Sequence, residues 1–177
     1  MDQENKQKLK LDDLSASYGK DVILEKINLS VLEGEFVAVV GESGCGKTTL
    51  FNTVAGFIPY SGSVFRPKRI GIVFQDHAVF PWMTVEENIN FGIRKRNGEV
   101  SHYLGMIGLA DKAKAYPHEL SGGQIQRVAL ARTLAADPDL ILMDEPYGAL
   151  DVYTRDKMQQ WLLDIWRGEK KTIIFVT

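Results

Sequence analysis

This sequence predicts an α/β fold: a parallel-sheet core, an antiparallel β unit at the N-terminal end and a helical lobe inserted in the middle. A change of hydrophobic pattern leads there. From Leu9 to Leu32 apolar and polar residues alternate (LKLDDLSASY, then VILEKINLSVL), the mark of strands with one wet face. From Phe36 to Val40 the pattern becomes a continuous apolar run, the mark of a strand buried on both faces. Runs of the same kind recur at Ile70 to Gln75, Leu140 to Asp144 and Thr172 to Thr177. Helical segments lie between them, which calls for parallel pairing with right-handed crossovers.

Along the chain, Gly19-Lys20-Asp21 supplies the turn between the first two strands. A helix over Thr48 to Ala55 follows the first buried strand. Val85 to Tyr116 holds glycines and no strand-like run, so it reads as part of a small helical lobe grafted into the core at 76–135. Asp151 is a good N-cap. Met158, Trp161, Leu162, Ile165 and Trp166 then form one core-facing stripe at helical spacing, with Gly168 as the stop. Residues 1–177 are expected to make one domain around one core.

Composition narrows the function classes. The chain is 45% hydrophobic and 25% charged, the balance of an ordinary globular protein. A net charge of -2 and a pI near 5.9 give no overall pull toward nucleic acid or anionic lipid, so any anion site must be local. The opening MDQENKQKLK is too polar for a signal peptide, and FVAVV and LILM fall far short of the ~20 residues of a membrane span. One cysteine permits no internal disulfide and suits a reducing compartment. A cytoplasmic protein is expected.

The chemistry is concentrated in a few motifs. Gly41 to Thr48 reads GESGCGKT, fits GxxxxGK(S/T) and directly follows a buried strand. Such a loop leaves backbone N–H groups free to cradle phosphates, while Lys47 reaches the β/γ-phosphates and Thr48 offers a hydroxyl to Mg2+. Leu120 to Arg127, LSGGQIQR, opens a helix with Ser-Gly-Gly, a shape suited to gripping an anion. Its glycines admit close backbone approach, Ser121 caps or donates, and the helix dipole favours negative charge. The same tripeptide is also an ordinary helix cap.

Asp144 ends the strand LILMD and Glu145 follows, at the kind of strand end where open α/β sheets place ligand chemistry. Asp144 would hold Mg2+ through water and Glu145 would polarise an attacking water. A helix-capping acidic pair before Pro146 is the alternative. Gln75, at another strand end, either contacts the metal or the water, or is simply solvated. Tyr18, on a turn, either stacks on a purine or packs on its own sheet. Cys45 is either a small residue that fits the loop or a thiol activated by the helix N-terminus.

With these residues in order, the chain resembles the ATP-binding cassette (ABC) family of ATPases across essentially its whole length. Gly41 to Thr48 is similar to the Walker A loop, Gln75 to the Q-loop and Leu120 to Gln124 to the LSGGQ signature. Leu140 to Glu145 is similar to the Walker B strand with its catalytic glutamate, Gly148 to Asp151 (GALD) to the D-loop, and Tyr18 to the adenine-stacking aromatic. The resemblance implies a P-loop NTPase (RecA-like) core that binds ATP with Mg2+. It assigns nucleotide contacts to Tyr18, Gly41, Glu42, Ser43, Gly44, Cys45, Gly46, Lys47, Thr48 and Thr49. Metal contacts fall to Thr48, Gln75 and Asp144, and catalysis to Glu145 and Gln75.

The family associates head to tail. Ser121, Gly122, Gly123 and Gln124 of one copy would therefore meet the γ-phosphate held on the other, with Asp151 in the D-loop. FPWMTVEENINFG and YPHELSGGQIQRVALARTL look like importer ATPases of the nitrate, sulfonate and taurine group. The implied partners are a second copy, membrane permease subunits and, indirectly, a solute-binding protein. The implied place is the cytoplasmic face of the cell membrane, with ATP binding closing the dimer and hydrolysis reopening it. Phe80 to Met83 resembles the surface where a permease's coupling helix docks, with burial under the lobe as the competing reading.

After the strand TIIFVT the family carries a histidine that contacts the γ-phosphate and the attacking water; the sequence ends at Thr177, before that position. His77, His102 and His118 are unsuited to replace it. The expectation is a C-terminally truncated domain that binds ATP with little or no hydrolysis, a nucleotide-binding remnant, with an open apolar edge along TIIFVT. A non-transport ABC ATPase acting on DNA or ribosomes is a further reading, but the sequence carries neither the long coiled-coil insertions nor the basic patches such proteins use.

Overall fold

The computed structural model describes residues 6–74, 78–93, 99–146 and 152–177. Strands β1 (Gln7–Tyr18) and β2 (Asp21–Leu32) form the expected hairpin, and β4 (Ser61–Phe65) adds to β1 to give an antiparallel sheet ordered β2-β1-β4. The alternation in β1 carries a phase change: Leu9 and Leu11 are buried, then Leu14 and Ala16. A bulge accounts for it, because the pairing with β2 shifts between Leu11 and Leu14. Asp13 sits there at a φ of 48°, its N–H donating to Asn28 Oδ1 at 3.0 Å. Gly62 of β4 crosses the bulge at a φ of 91°, where an added Cβ would lie 2.4 Å from the Asp13 carbonyl oxygen. β4 escapes the sequence reading because Ser-Gly-Ser has the composition of a turn.

A second sheet is parallel and ordered β3-β7-β6-β5, from β3 (Phe36–Val39), β5 (Ile70–Val73), β6 (Leu140–Asp144) and β7 (Thr172–Val176). The continuous apolar runs of β6 and β7 have a simple cause, since their alternate residues serve different cores. Leu140, Leu142, Ile174 and Val176 pack with α1 (Lys47–Ala55) and the antiparallel sheet. Ile141, Met143 and Ile173 pack with α4 (Gly122–Ala135) and α5 (Val152–Glu169).

Some expectations are corrected. β3 pairs only with β7 among the described residues, so it is an edge strand with Ala38 and Val40 exposed rather than a strand buried on both faces. Conversely TIIFVT lies inside the sheet, bonded to β3 on one side and β6 on the other, so its edge is not open. Gly168 does not stop α5, which continues to Glu169.

Helices α2 (Val85–Gly92) and α3 (Val100–Met106) close a third core against α4, through Val85, Ile89, Leu104, Ile107, Val128, Ala131 and Ala135. α4 is apolar around most of its girth because it is shared: Ala129, Leu130 and Leu134 face the parallel sheet. α2 and α4 meet backbone to backbone at Gly92, where an added Cβ would lie 2.1 Å from the Arg132 carbonyl oxygen. No described helix is long and apolar enough to cross a membrane.

The Gly92 contact predicts a sign. Gly92→Ala forces α2 away from α4 and should cost about 1–3 kcal/mol in urea unfolding. Gly105→Ala on α3, where a Cβ meets nothing within 4 Å, should stabilise by up to ~1 kcal/mol. Equal effects of the two would contradict the close helix crossing.

Candidate functional site

The phosphate-loop candidate runs from the end of β3 into α1. Gly44 and Gly46 take φ values of 82° and 99°, and Gly46 is the N-cap of α1 with no side chain closing the first turn. The first-turn N–H groups are thereby left for a ligand. β2 supports the loop from behind: a Cβ on Gly46 would lie 3.1 Å from Ile23 Cγ2 and 3.2 Å from Leu24 Cδ2. The Lys47 ammonium folds back and donates to the carbonyl oxygens of Gly41 at 2.6 Å and Glu42 at 2.9 Å. Cys45 is exposed, with its N–H donating to the Glu42 carbonyl at 3.3 Å.

Over this loop opens a cleft of about 240 Å³ lined by Tyr18, Ile23, Ser43, Gly44, Gly46, Lys47, Thr48, Thr49 and Glu145. The fold thus gathers a hairpin-end aromatic, the glycine loop and an acid from the far end of β6. Gly41, Glu42 and Cys45 belong to the loop but do not line the cleft. Tyr18 is 51% exposed, so its side chain can meet a flat ligand.

Asp144 ends β6 and Glu145 follows it. Asp144 Oδ1 is buried without a hydrogen-bond partner. Burial, and then the neighbouring Glu145, push the Asp144 carboxyl above its usual range, with Lys47 opposing. An orphaned carboxylate oxygen beside a second carboxylate is a donor set short of a cation, so these residues fit Mg2+. Glu145 adopts a φ of 41°, and its N–H donates to the Val176 carbonyl at 3.0 Å.

Ser121 caps α4 reciprocally: its hydroxyl oxygen accepts from Gln124 N–H at 3.4 Å, and Gln124 Oε1 accepts from Ser121 N–H at 3.0 Å. The hydroxyl proton remains available to donate outward. Ser121 and Gly122 are exposed, and none of Ser121, Gly122, Gly123 or Gln124 lines the cleft of its own chain. Gln75, Asp151 and His77 lie outside the described residues. His118 stacks on Tyr116 and His102 sits 3.9 Å from Glu169, both away from the cleft.

Sequence reasoning missed Asn88. It is fully buried in α2, accepts from Phe80 N–H at 2.8 Å and donates toward the carbonyls of Phe80, Met83 and Thr84. Arg132 caps the same segment, its guanidinium 4.9 Å from the Phe80 ring centre and 2.7 Å from the Ala78 carbonyl. The available signal was a polar residue on the apolar face of α2. Pinned from below, Phe80 holds Trp82 and Phe91 beside it, and Trp82 is 69% exposed. The lobe does not bury this patch.

Comparison with known proteins identifies the family. Residues 24–148 match the ABC transporter family. The taurine import ATP-binding protein TauB of Escherichia coli (strain K12) is 45% identical over 185 residues, covering 96% of this chain and 72% of its own. The structure of CbiO1 from Clostridium perfringens, part of the ABC transporter complex CbiONQ, superposes with a TM-score of 0.87 at 28% identity, over 97% of this chain and 78% of its own. The dimeric ATP-binding cassette MJ0796, in a post-hydrolysis state bound to ADP and Pi, gives a TM-score of 0.78 at 33% identity, over 96% and 87%.

The raised Asp144 pKa makes a prediction about the nucleotide-free protein. A carboxyl held above its unfolded value stabilises the fold when protonated, below the unfolded pKa of about 3.9. That stability is lost as pH rises through the folded pKa. Asp144→Asn should therefore melt higher than the parent at pH 7.5, by about 2–4 °C per kcal/mol relieved. The gap should close toward pH 4, and Mg2+ should no longer shift the melting of the ATP-loaded variant. A lower melting point at pH 7.5 would contradict this.

Proposed function

The chain belongs to the ABC transporter family, whose members hydrolyse ATP, and on that premise we propose that it is the ATP-binding subunit of an importer for small sulfonate-like solutes. One observation carries the reading: a single cleft joins Tyr18, the glycine loop with Lys47 and Thr48, and Glu145. Residues 1–177 act as one nucleotide-binding domain, with the helical lobe at 76–135 presenting the signature.

The roles follow from chemistry. Tyr18 stacks on the adenine. Ser43, Gly44 and Gly46 present backbone N–H groups to the phosphates, and Lys47 leaves the Gly41 and Glu42 carbonyls to meet the β- and γ-oxygens. Thr48, Gln75 and Asp144 would hold Mg2+, which would supply neutralisation of the developing charge. Glu145 orients the attacking water and takes up its proton. Ser121 to Gly123 of a second copy donate to the γ-phosphate, with Asp151 at the same interface, so hydrolysis requires two chains. The solute class rests on similarity to TauB, which is named for taurine import. Trp82 and Phe91 provide the apolar surface for a permease segment on the cytoplasmic face of the membrane.

Two variants test this. Lys47→Ala should weaken ATP binding, read by calorimetry, about 10–100-fold. Glu145→Gln should keep ATP affinity within about 2-fold while lowering turnover by about 10²–10⁴-fold. It should also accumulate an ATP-dependent dimer in gel filtration. ATP binding indifferent to Lys47, or a Glu145→Gln protein that turns over normally, would overturn the assignment.

A further inference from the structure

The signature helix carries a second polar residue that the roles above leave unused. Gln126 is 2% exposed, and its Nε2 donates to the carbonyl of Pro146, the residue immediately after Glu145. Its Oε1 is buried without a partner. Burying an amide half-satisfied costs stability that an apolar side chain at this position would not. Immediately beyond Asp144 the chain is under local strain, because Glu145 holds a φ of 41°, a left-handed conformation that a non-glycine residue keeps only when its surroundings over-determine it.

Two hydrogen bonds over-determine it here. Val176 of β7 accepts the Glu145 N–H on one side, and Gln126 donates to the Pro146 carbonyl on the other. We propose that Gln126 is a positioning residue, which locks the Glu145–Pro146 turn in its strained conformation and so aims the Glu145 carboxylate into the nucleotide cleft. Gln126 lies five residues after Ser121, ~7.5 Å along the same helix. A displacement of the signature end of α4 therefore reaches Glu145 of the same chain through one side chain. In a head-to-tail pair this joins the two sites: the signature serves the partner's nucleotide, while Gln126 sets the acid that acts on the chain's own. The catalytic consequence rests on the proposed role of Glu145, but the clamp itself does not.

Gln126→Met keeps the length of the side chain and removes the donor. In the nucleotide-free protein it should speed amide exchange at Glu145 at least ~10-fold, leaving the Ile125 amide, which donates to the Ser121 carbonyl within α4, unchanged. Gln126→His, which retains an N–H donor, should restore at least half of the protection. With ATP and Mg2+, kcat should fall about 10-fold or more while KM stays within about 2-fold, the split expected when only the acid is misplaced. Gln126→Ala serves as a second probe if the methionine is not accommodated. A folded Met or Ala variant with Glu145 exchange within 2-fold of the parent overturns the clamp, as does a fall in kcat matched by an equal loss of ATP affinity. A parent chain that does not bind ATP would overturn the proposed function instead, and the exchange measurement would still decide the clamp.

Discussion

One rung of the parallel sheet sets the geometry of the candidate site. Val176 of β7 pairs with Val39 at the end of β3 and with Asp144 at the end of β6. Strands lie about 4.8 Å apart, so the root of the glycine loop and the acidic pair are fixed roughly 10 Å from each other. They share the same edge of the sheet. The Val176 carbonyl also receives the Glu145 N–H. Without β7 in the middle, β3 and β6 would have no common reference, and a loop and an acid a hundred residues apart in sequence could not share a cleft.

Much of this was legible in the chain. Continuous apolar runs located every parallel strand, because β6 and β7 must satisfy cores on both faces. Their order was not legible, since the runs record burial and not neighbours. That is why TIIFVT could look like an edge and FVAVV like a centre. β4 was hidden because the bulge at Asp13 demands a glycine opposite it, which gives the strand the composition of a loop. For the candidate site, the residue types and spacing of GESGCGKT and LMDE pointed to phosphate and cation chemistry. The buried polar side chains that hold local backbone were missed, because pattern reading sends Asn88, Gln126 and Arg132 to the surface. Only three-dimensional packing shows what their hydrogen bonds hold.

α4 makes the lobe and the core one mechanical unit. One side packs on α2 and α3, the other on β5, β6 and α5, and Gly92 lets the α2 backbone press directly on the Arg132 carbonyl. From this single helix Arg132 steadies the segment that presents Trp82, while Ser121 and its capping partner shape the exposed N-terminal turn. A contact made at the aromatic patch and one made at the signature thus act on the same rigid rod. Such rods transmit displacement well because close-packed interiors deform little.

The resting position of Lys47 has a consequence for selectivity. Its ammonium is satisfied by the protein's own backbone, through the carbonyls of Gly41 and Glu42. A ligand therefore gains from this lysine only the difference between what it offers and what the carbonyls already provide. A neutral nucleoside offers nothing better and leaves the lysine where it is. A polyphosphate brings full negative charge and draws it away. Under the proposed function, discrimination against the uncharged base and sugar takes the form of an exchange of partners for one cation.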